Sequence, residues 1–262
     1  MVDMLPEILR NQLDFTHAKK PPIGYSPETM YLIENGFNGK PCVLKYSNRI
    51  EVYKEGKIYE WFKGKMPVPE VYFNECIDNV YYLVVEMMEG EMLSQTFQKW
   101  TKKQTIEFYA NLLKSIHSLD INNFPFNHDL DYRLNKIVVS EAKTQYFERE
   151  LKGKDPQEMY DYLISHQDFK KDLVVCHGDV CFPNFMMKND ELAALIDVSG
   201  AGIEDRYLDI AIALRTLRYN FEMIQDNLTN EDISYFCMCY GLEKLDEFKL
   251  KYYIYLDELT NG

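Results

Sequence analysis

The segment that most constrains this chain is CHGDVCFPN, which occupies residues 176–184. The apolar run before it is typical of a β-strand, so the segment is predicted to be a loop that leaves a strand. Asp179 and Asn184 lie five positions apart in this loop, and a hairpin then returns the chain to an apolar strand that ends at Asp197. Because this loop is short, the side-chain oxygen atoms of Asp179 and Asn184 are predicted to point into the same cleft. Carboxylate and amide oxygens are ligands that Mg²⁺ prefers.

Taken singly, none of these features is specific. A His-Gly-Asp sequence is usually a turn whose carboxylate accepts backbone hydrogen bonds, and a single histidine such as His177 is usually structural. Together, in this order and between apolar strands, the features favour a catalytic site. The D-x-x-x-x-N spacing is that of kinase catalytic loops, in which the aspartate receives the proton of the acceptor hydroxyl and the asparagine binds Mg²⁺.

The composition is that of a folded, acidic protein. The 262 residues include 42 acidic and 29 basic side chains, which gives a formal net charge of −13, and 46% are hydrophobic. Such a chain is not disordered as a whole. The excess of acid argues against nucleic acid or an anionic membrane as the main partner, because both require clustered lysine and arginine. Cationic or neutral small molecules remain as partners.

The cellular compartment is predicted from three further features. No apolar run reaches the ~20 residues of a membrane span. The N-terminal residues MVDMLPEILRNQLDF carry acids where a signal peptide carries basic residues. The six cysteines are scattered without C-x-x-C spacing, which favours reduced thiols over a disulfide scaffold. We therefore expect a cytoplasmic protein.

The order of the predicted elements indicates an α+β chain with two lobes. Residues 1–88 form a small, strand-rich lobe with one helix at 49–63, and residues 89–262 form a larger, mainly helical lobe. The strands of the first lobe are predicted at 29–33, 42–46, 71–73 and 80–85. The second lobe contains a strand at 173–176, a hairpin at 185–196, and helices at 105–119, 132–150, 156–164, 207–219, 230–240 and 247–259.

Two segments, HGDVCFPN and IDVSGAGIEDRYLDIA, resemble the aminoglycoside phosphotransferase family. The resemblance covers nearly the whole length and is strongest to the 3′-phosphotransferase branch. Further similar segments are SPETMYLI, VLK, WFKGKMPVPEV, IHSLDI, LDYRL, DPQEMYDYL and KYYIYLDEL. The resemblance implies a bilobal protein-kinase-like fold, with nucleotide bound by the lobe 1–88 and the acceptor by the lobe 89–262.

The resemblance also implies roles for individual residues. Asp179 is the expected catalytic aspartate, and Asn184 and Asp197 are the expected Mg²⁺ ligands. Lys45 is expected to contact the α- and β-phosphates of ATP, with GTP as the alternative donor. Its partner is expected to be an acid on the next helix, for which Glu55 is the best match. Glu51 is the alternative partner. The alternative interpretation of Lys45 is that it is simply an exposed lysine on an edge strand.

The resemblance also implies three further contacts with the nucleotide. The connector after the strand 80–85 is expected to contact adenine through backbone groups near Glu86 and Met88. Ser26 lies in the segment that resembles the phosphate-covering loop of the family.

Asp205 and Asp209, in DRYLDIA, are expected to be structural, capping a helix and bracing the catalytic loop.

The acceptor implied by the resemblance is a cationic aminoglycoside antibiotic, whose phosphorylation confers resistance. Asp257 and Glu258 in the DEL ending are its expected ligands, with Glu148 as a further candidate that by default is a solvated helix acid. Two features depart from the branch: Val198-Ser199 stands where many members carry Gly-Arg, and residues 260–262 extend beyond the DEL ending. Both concern the acceptor rather than the phosphoryl-transfer residues.

Three alternative functions can be weighed on the same residues. A kinase of the same fold acting on choline, a sugar or a homoserine-like alcohol has the same core motif. A catalytically inactive binding protein is disfavoured, because the lysine, the two aspartates and the asparagine are all present. A zinc hydrolase built on His177 with Cys176 and Cys181 is disfavoured, because adjacent strand residues point to opposite faces.

Overall fold

The computed structural model describes residues 5–21, 28–147 and 151–261. Within these ranges the chain divides into two compact units. The first unit contains the residues up to Leu93 together with Asn184–Ser199, and the second contains Ser94–Pro183 and the residues from Gly200 onward. This division differs from the lobes drawn from the sequence, because the hairpin within 184–199 pairs with a strand at Glu91–Met92 and so joins the first unit.

A four-stranded antiparallel sheet forms the centre of the first unit. Its strands are β1 (Thr29–Ile33), β2 (Cys42–Ser47), β3 (Val71–Ile77) and β4 (Val80–Glu86), in the order β1-β2-β4-β3. The four strands predicted at 29–33, 42–46, 71–73 and 80–85 are therefore confirmed, and β3 extends further than predicted. One face of the sheet buries Ile33, Leu44 and Val84 together with Leu9 of the short helix α1 (Glu7–Arg10).

The helix α2 (Glu51–Phe62) packs against β3 and β4. Its close approach depends on Gly56, since a Cβ atom at this position would lie 2.3 Å from Nδ2 of Asn74 on β3. That same Nδ2 donates a hydrogen bond of 2.9 Å to the Tyr53 carbonyl. The helix is thus fixed to the sheet one residue away from Glu55.

A three-stranded sheet completes the first unit. It contains β5 (Glu91–Met92), β7 (Phe185–Lys188) and β8 (Glu191–Leu195), in the order β5-β7-β8. The turn between β7 and β8 places Asn189 and Asp190 at positive φ, a conformation that Asn and Asp tolerate. The hairpin predicted at 185–196 is confirmed, and Asp197 lies two residues after the end of β8.

The second unit is mainly helical, with one two-stranded sheet made of β6 (Leu173–Cys176) and β9 (Gly202–Asp205). Its α4 (Lys102–His117) packs against α8 (Asn230–Tyr240), and its α7 (Tyr207–Met223) packs against α9 (Glu247–Asn261). A capping box formed by Thr101 and Gln104 begins α4. The helices, with α3 at the boundary of the units, are α3 (Leu93–Thr96), α4 (Lys102–His117), α5 (Leu130–Leu134), α6 (Pro156–Ser165), α7 (Tyr207–Met223), α8 (Asn230–Tyr240) and α9 (Glu247–Asn261).

One predicted element is wrong. The sequence predicted a helix over 132–150, but α5 ends at Leu134 and is followed by short 3₁₀ turns at Val139–Glu141 and Thr144–Tyr146. The run Ile137-Val138-Val139 is β-branched, which lowers helix propensity because the side chains crowd the preceding turn.

Across the part of the chain that the structure describes, no helix combines the length and the apolar character needed to span a membrane.

Candidate active site

A buried ion pair between Lys45 and Glu55 lies in the first unit. Lys45 is on β2, with β1 and β4 as its neighbours, and Glu55 is one turn into α2. The lysine Nζ donates to both carboxylate oxygens, at 2.8 and 2.9 Å, and the side chains are only 10% and 3% exposed. The expected pairing is therefore observed. The alternative partner, Glu51, lies 3.7 Å from Arg49 instead.

Asp197 is the second carboxylate near the lysine. Its Oδ1 accepts a hydrogen bond of 3.4 Å from Lys45 Nζ, and its side chain is 42% exposed. Burial alone would lower the pKa of Lys45, but the charges of Asp197 and Glu55 outweigh it and hold the pKa above its usual value. The ammonium group therefore stays charged at physiological pH.

Tyr59 connects the two carboxylate residues. Its hydroxyl donates a hydrogen bond of 2.9 Å to Glu55 Oε1 and accepts one of 3.0 Å from the Asp197 backbone N–H. The tyrosine is buried on the same face of α2, one turn after Glu55. The site residues predicted from the sequence did not include it. The signal that could have identified it was the four-residue spacing from the glutamate.

Asn184 and Asp197 supply oxygen atoms suited to a divalent cation. Asn184 is buried, and its backbone carbonyl accepts a hydrogen bond of 2.9 Å from the N–H of Ile196, the residue before Asp197. Asp197 has φ of 55°, in the left-handed region that aspartate tolerates. An amide oxygen and a partly exposed carboxylate are hard donors, so this pair fits Mg²⁺.

Asp179 lies in the second unit, in the loop that follows β6. The strand pairs antiparallel with β9, and its last residue, Cys176, is opposite Gly202. His177 and Gly178 are buried, whereas Asp179 is half-buried and its backbone N–H donates to His177 Nδ1 at 3.4 Å. The loop that follows β6 therefore gives the Asp179 carboxylate partial access to solvent.

Asp209 in α7 fixes this loop through its backbone. Its carboxylate accepts hydrogen bonds from the backbone N–H groups of His177 and Gly178, at 2.7 and 2.9 Å. His117 Nε2 lies 3.1 Å from the same carboxylate. Burial raises the pKa of Asp209, but these hydrogen bonds and the histidine charge lower it below its usual value. The expected bracing role of Asp209 is confirmed, and Asp205 accepts from the Tyr207 N–H at 2.9 Å where α7 begins.

The ligand atoms of His117, Cys176 and Asp209 lie within 4.8 Å of one another. The imidazole and the carboxylate are nevertheless already committed to hydrogen bonds, because His117 Nδ1 also lies 2.6 Å from the Tyr240 hydroxyl. The cluster therefore acts as a brace of the loop. It gives no support to a zinc site.

Gly178→Ala is expected to lower the melting temperature more than Gly153→Ala, as measured by thermal unfolding. Both glycines have nearly the same φ, +84° and +85°. The left-handed backbone costs an alanine about 1–2 kcal/mol in either place, or about 2–8 °C in a chain of this size. A Cβ at Gly178 would also lie 2.1 Å from the Gly200 carbonyl oxygen, whereas one at Gly153 meets nothing within 4 Å. Equal losses would show that the loop has room to shift.

The remaining nucleotide candidates are placed as follows. Glu86 ends β4, and its backbone N–H donates to the Glu70 carbonyl at 2.8 Å. Met88 lies two residues further on, half-buried in the connector before β5. Ser26 and the acceptor candidate Glu148 lie outside the described residues.

The two acids of the C-terminal helix are buried against Arg215. Asp257 and Glu258 are 6% and 1% exposed. Arg215 of α7 donates from Nη1 to the Asp257 carboxylate, and its Nε lies 3.8 Å from Glu258 Oε1. The acids therefore share a cation of the chain itself. Sequence reasoning missed Arg215, because only the packing of α7 against α9 brings it to these acids.

Known proteins resemble this chain over most of its length. Residues 17–248 match the phosphotransferase enzyme family. An aminoglycoside 3′-phosphotransferase of Niallia circulans is 32% identical over 97% of this chain and 96% of its own length. One from Enterococcus faecalis is 30% identical over 80% and 79%. The structure of a Streptomyces rimosus aminoglycoside phosphotransferase with ADP and streptomycin superimposes with a TM-score of 0.75, at 21% identity, over 94% and 93% of the two chains. The predicted kinase-like fold is thereby confirmed.

Proposed function

The chain belongs to the phosphotransferase enzyme family, among its aminoglycoside phosphotransferases, and from this premise we propose that it transfers the γ-phosphoryl group of ATP to an aminoglycoside 3′-hydroxyl. Phosphorylation would inactivate the antibiotic and confer resistance. The observation that carries the proposal is the Lys45–Glu55 ion pair at 2.8 Å, with Asp197 beside it. An inactive binding protein would have no need to maintain a buried charge pair of this kind.

The residues of the chain have separate tasks in the proposed reaction. The acceptor hydroxyl attacks the γ-phosphorus, the bond from that phosphorus to the β,γ-bridging oxygen breaks, and ADP leaves with the bond electrons. Asp179 orients the hydroxyl and takes its proton. Lys45 binds the α- and β-phosphates, and Glu55 and Tyr59 hold it in place. Asn184 and Asp197 would hold Mg²⁺, which supplies neutralisation of phosphate charge when bound.

A coupled assay of nucleotide turnover tests the proposal. The purified protein is offered ATP or GTP with a panel of aminoglycosides, choline and simple sugars, and NMR of the product locates the phosphorylated hydroxyl. Turnover with kanamycin- or neomycin-type compounds and a 3′-phosphate product is expected. If no aminoglycoside is phosphorylated but a neutral or singly charged alcohol is, the proposal is wrong and the protein is a metabolite kinase.

A metabolite kinase is the second candidate, and two observations favour it. Arg215 already neutralises part of the charge of Asp257 and Glu258, the acids expected to attract a polycation. Val198-Ser199 also replaces the Gly-Arg pair of many 3′ enzymes. Both features concern the acceptor, so the panel assay distinguishes the two candidates without involving the nucleotide residues.

Glu258→Gln is expected to weaken aminoglycoside binding about ten-fold and to leave nucleotide affinity unchanged. The Glu258 carboxylate is only 1% exposed, so its charge acts on a bound polycation over a distance, through surroundings that screen it less than water does. A factor of ten in affinity corresponds to ~1.4 kcal/mol. Binding should also weaken as salt rises, because part of the attraction is screened over about 8–10 Å. Calorimetric titration with a kanamycin-type ligand at low and high ionic strength measures both effects.

The matched control for this variant is Glu247→Gln. Glu247 lies on the same helix, α9, but is exposed at its first turn. Its replacement removes the same charge from the chain and is expected to leave the affinity unchanged. Salt-independent binding that is equally strong in both variants would contradict a polycation site at Glu258 and favour the metabolite kinase.

A further inference from the structure

Arg133 of α5 contacts the backbone segment that follows the proposed metal acid in the sequence. Its Nη2 donates a hydrogen bond of 2.8 Å to the carbonyl oxygen of Gly200, three residues after Asp197. His128 Nδ1 lies 2.8 Å from the next carbonyl oxygen, that of Ala201, and carries the proton because a carbonyl only accepts. Two consecutive carbonyl groups are thus held by two side chains of one short segment.

The Gly200 carbonyl also packs against the loop that carries Asp179. A Cβ atom at Gly178 would lie 2.1 Å from this oxygen and 3.3 Å from Arg133 Nη2, so the Cα of this glycine lies beside both groups. The Gly178 N–H in turn donates to Asp209 at 2.9 Å. All of these residues belong to the second unit. Arg133 is therefore connected, through one carbonyl oxygen, to the residue directly before Asp179.

The helix that carries Arg133 is short but well fixed. The Asp129 carboxylate caps its N-terminus by accepting a hydrogen bond of 3.0 Å from the Tyr132 N–H. Leu130 and Leu134, one turn apart, are only 1% and 5% exposed. The arginine side chain therefore starts from a defined position, and its planar guanidinium presents its N–H groups in a fixed geometry.

Stability alone does not explain this arginine. Its Nε is buried and has no hydrogen-bond partner among the residues that the structure describes. A buried N–H without a partner opposes folding, and the cost is larger for a charged group. Positions that keep such a cost are typically functional.

We propose that Arg133 is a positioning residue of the phosphoryl-transfer reaction. By holding the Gly200 carbonyl against Gly178, it fixes the backbone of the catalytic loop and with it the direction of the Asp179 carboxylate. The proposal rests on the proposed role of Asp179 as the base.

Steady-state kinetics with an aminoglycoside acceptor give the first test. Arg133→Met removes every N–H donor and is expected to lower kcat about ten-fold, because a small displacement of a catalytic group already costs rate, with the KM for nucleotide within about two-fold of wild type. Arg133→Lys retains a cationic donor on a shorter stem and should lose about three-fold. Lys136→Met, at an exposed lysine just after α5, removes the same charge and should change neither parameter.

The melting temperature distinguishes positioning from a merely structural role. In Arg133→Met it should stay within about 4 °C of wild type, because the buried Nε is removed together with the hydrogen bond to Gly200. A kcat loss that only accompanies a much larger drop in melting temperature would show that the arginine stabilises the fold and does not position the base.

A double-mutant cycle tests whether Arg133 acts through Asp179. If it does, Arg133→Met should change the residual turnover of Asp179→Asn by less than about two-fold, because the base that it positions is gone. An arginine that acted elsewhere would lower turnover about ten-fold in both backgrounds. Full additivity would therefore overturn the positioning role.

Hydrogen exchange measured by mass spectrometry gives a test that requires no turnover. The N–H groups of His177 and Gly178 are protected by Asp209, and in Arg133→Met the peptide that contains them should exchange about ten-fold faster. A peptide from α4 should be unchanged. Wild-type exchange at residues 177–178 would contradict the proposed contact, whether or not the protein phosphorylates an aminoglycoside.

The outcomes separate this proposal from the proposed function. If the wild type phosphorylates no aminoglycoside, the function fails, and the exchange test still decides whether Arg133 holds the loop. If the wild type is active and Arg133→Met equals it, the positioning role is wrong. Should Arg133→Met not fold, Arg133→Lys serves in both tests, and wild-type kcat with wild-type exchange in that variant would contradict the proposal.

Discussion

Asp179→Asn is expected to lower kcat by about 10²–10⁴-fold, which is the usual contribution of a positioned general base. In terms of the activation barrier this is about 2.7–5.4 kcal/mol, at about 1.36 kcal/mol per factor of ten. The amide has nearly the same shape but does not take up the proton of the acceptor hydroxyl. Nucleotide affinity should stay close to wild type, because the residues proposed to hold the nucleotide are elsewhere in the chain. Turnover and nucleotide titration measure the two quantities.

The loop around Asp179 makes this substitution informative. Asp209 holds the two preceding residues through their backbone N–H groups, and that contact does not involve the Asp179 side chain. The variant should therefore keep the loop in place and lose only chemistry. Asp120→Asn, in an exposed turn after α4, is the control and should retain wild-type turnover. Near-normal kcat in Asp179→Asn would move the base to another residue.

The sequence predicted the local parts of this site well, because they depend on short spacings. The strand before CHGD, the hairpin that leads to Asp197 and the helix that carries Glu55 all follow from patterns within about 15 residues. The choice of Glu55 over Glu51 is explained by the start of α2. Glu51 is its first residue and turns to Arg49, whereas Glu55 lies one turn further, on the buried face.

The features that the sequence did not predict arise from contacts between distant elements. Arg215 and Glu258 are 43 residues apart, and Arg133 and the Gly200 carbonyl are 67 residues apart. Each contact depends on how a helix is rotated about its axis, which hydrophobic patterning fixes only within a broad face. The assignment of 184–199 to the first unit has the same origin, because its pairing with β5 is non-local.

Asp197→Asn is expected to abolish the Mg²⁺-dependent part of nucleotide binding, because it removes the charged ligand of a hard cation. The fold should be preserved, since asparagine tolerates the φ of 55° as well as aspartate does. The Lys45–Glu55 pair also remains in this variant. Titration of ATP with and without Mg²⁺ measures the effect: wild type should bind more tightly with the metal, and the variant equally weakly in both conditions.

Asp190→Asn is the matched control for this result. Asp190 lies in the turn of the same hairpin, is exposed and also has positive φ, so it reports the effect of losing one carboxylate of this hairpin without removing a proposed metal ligand. It should retain the Mg²⁺ dependence of wild type. If Asp197→Asn also retained it, the cation would be held by other residues. Loss of binding in Asp197→Asn, together with loss of turnover but not of binding in Asp179→Asn, would assign the metal and the proton to different aspartates.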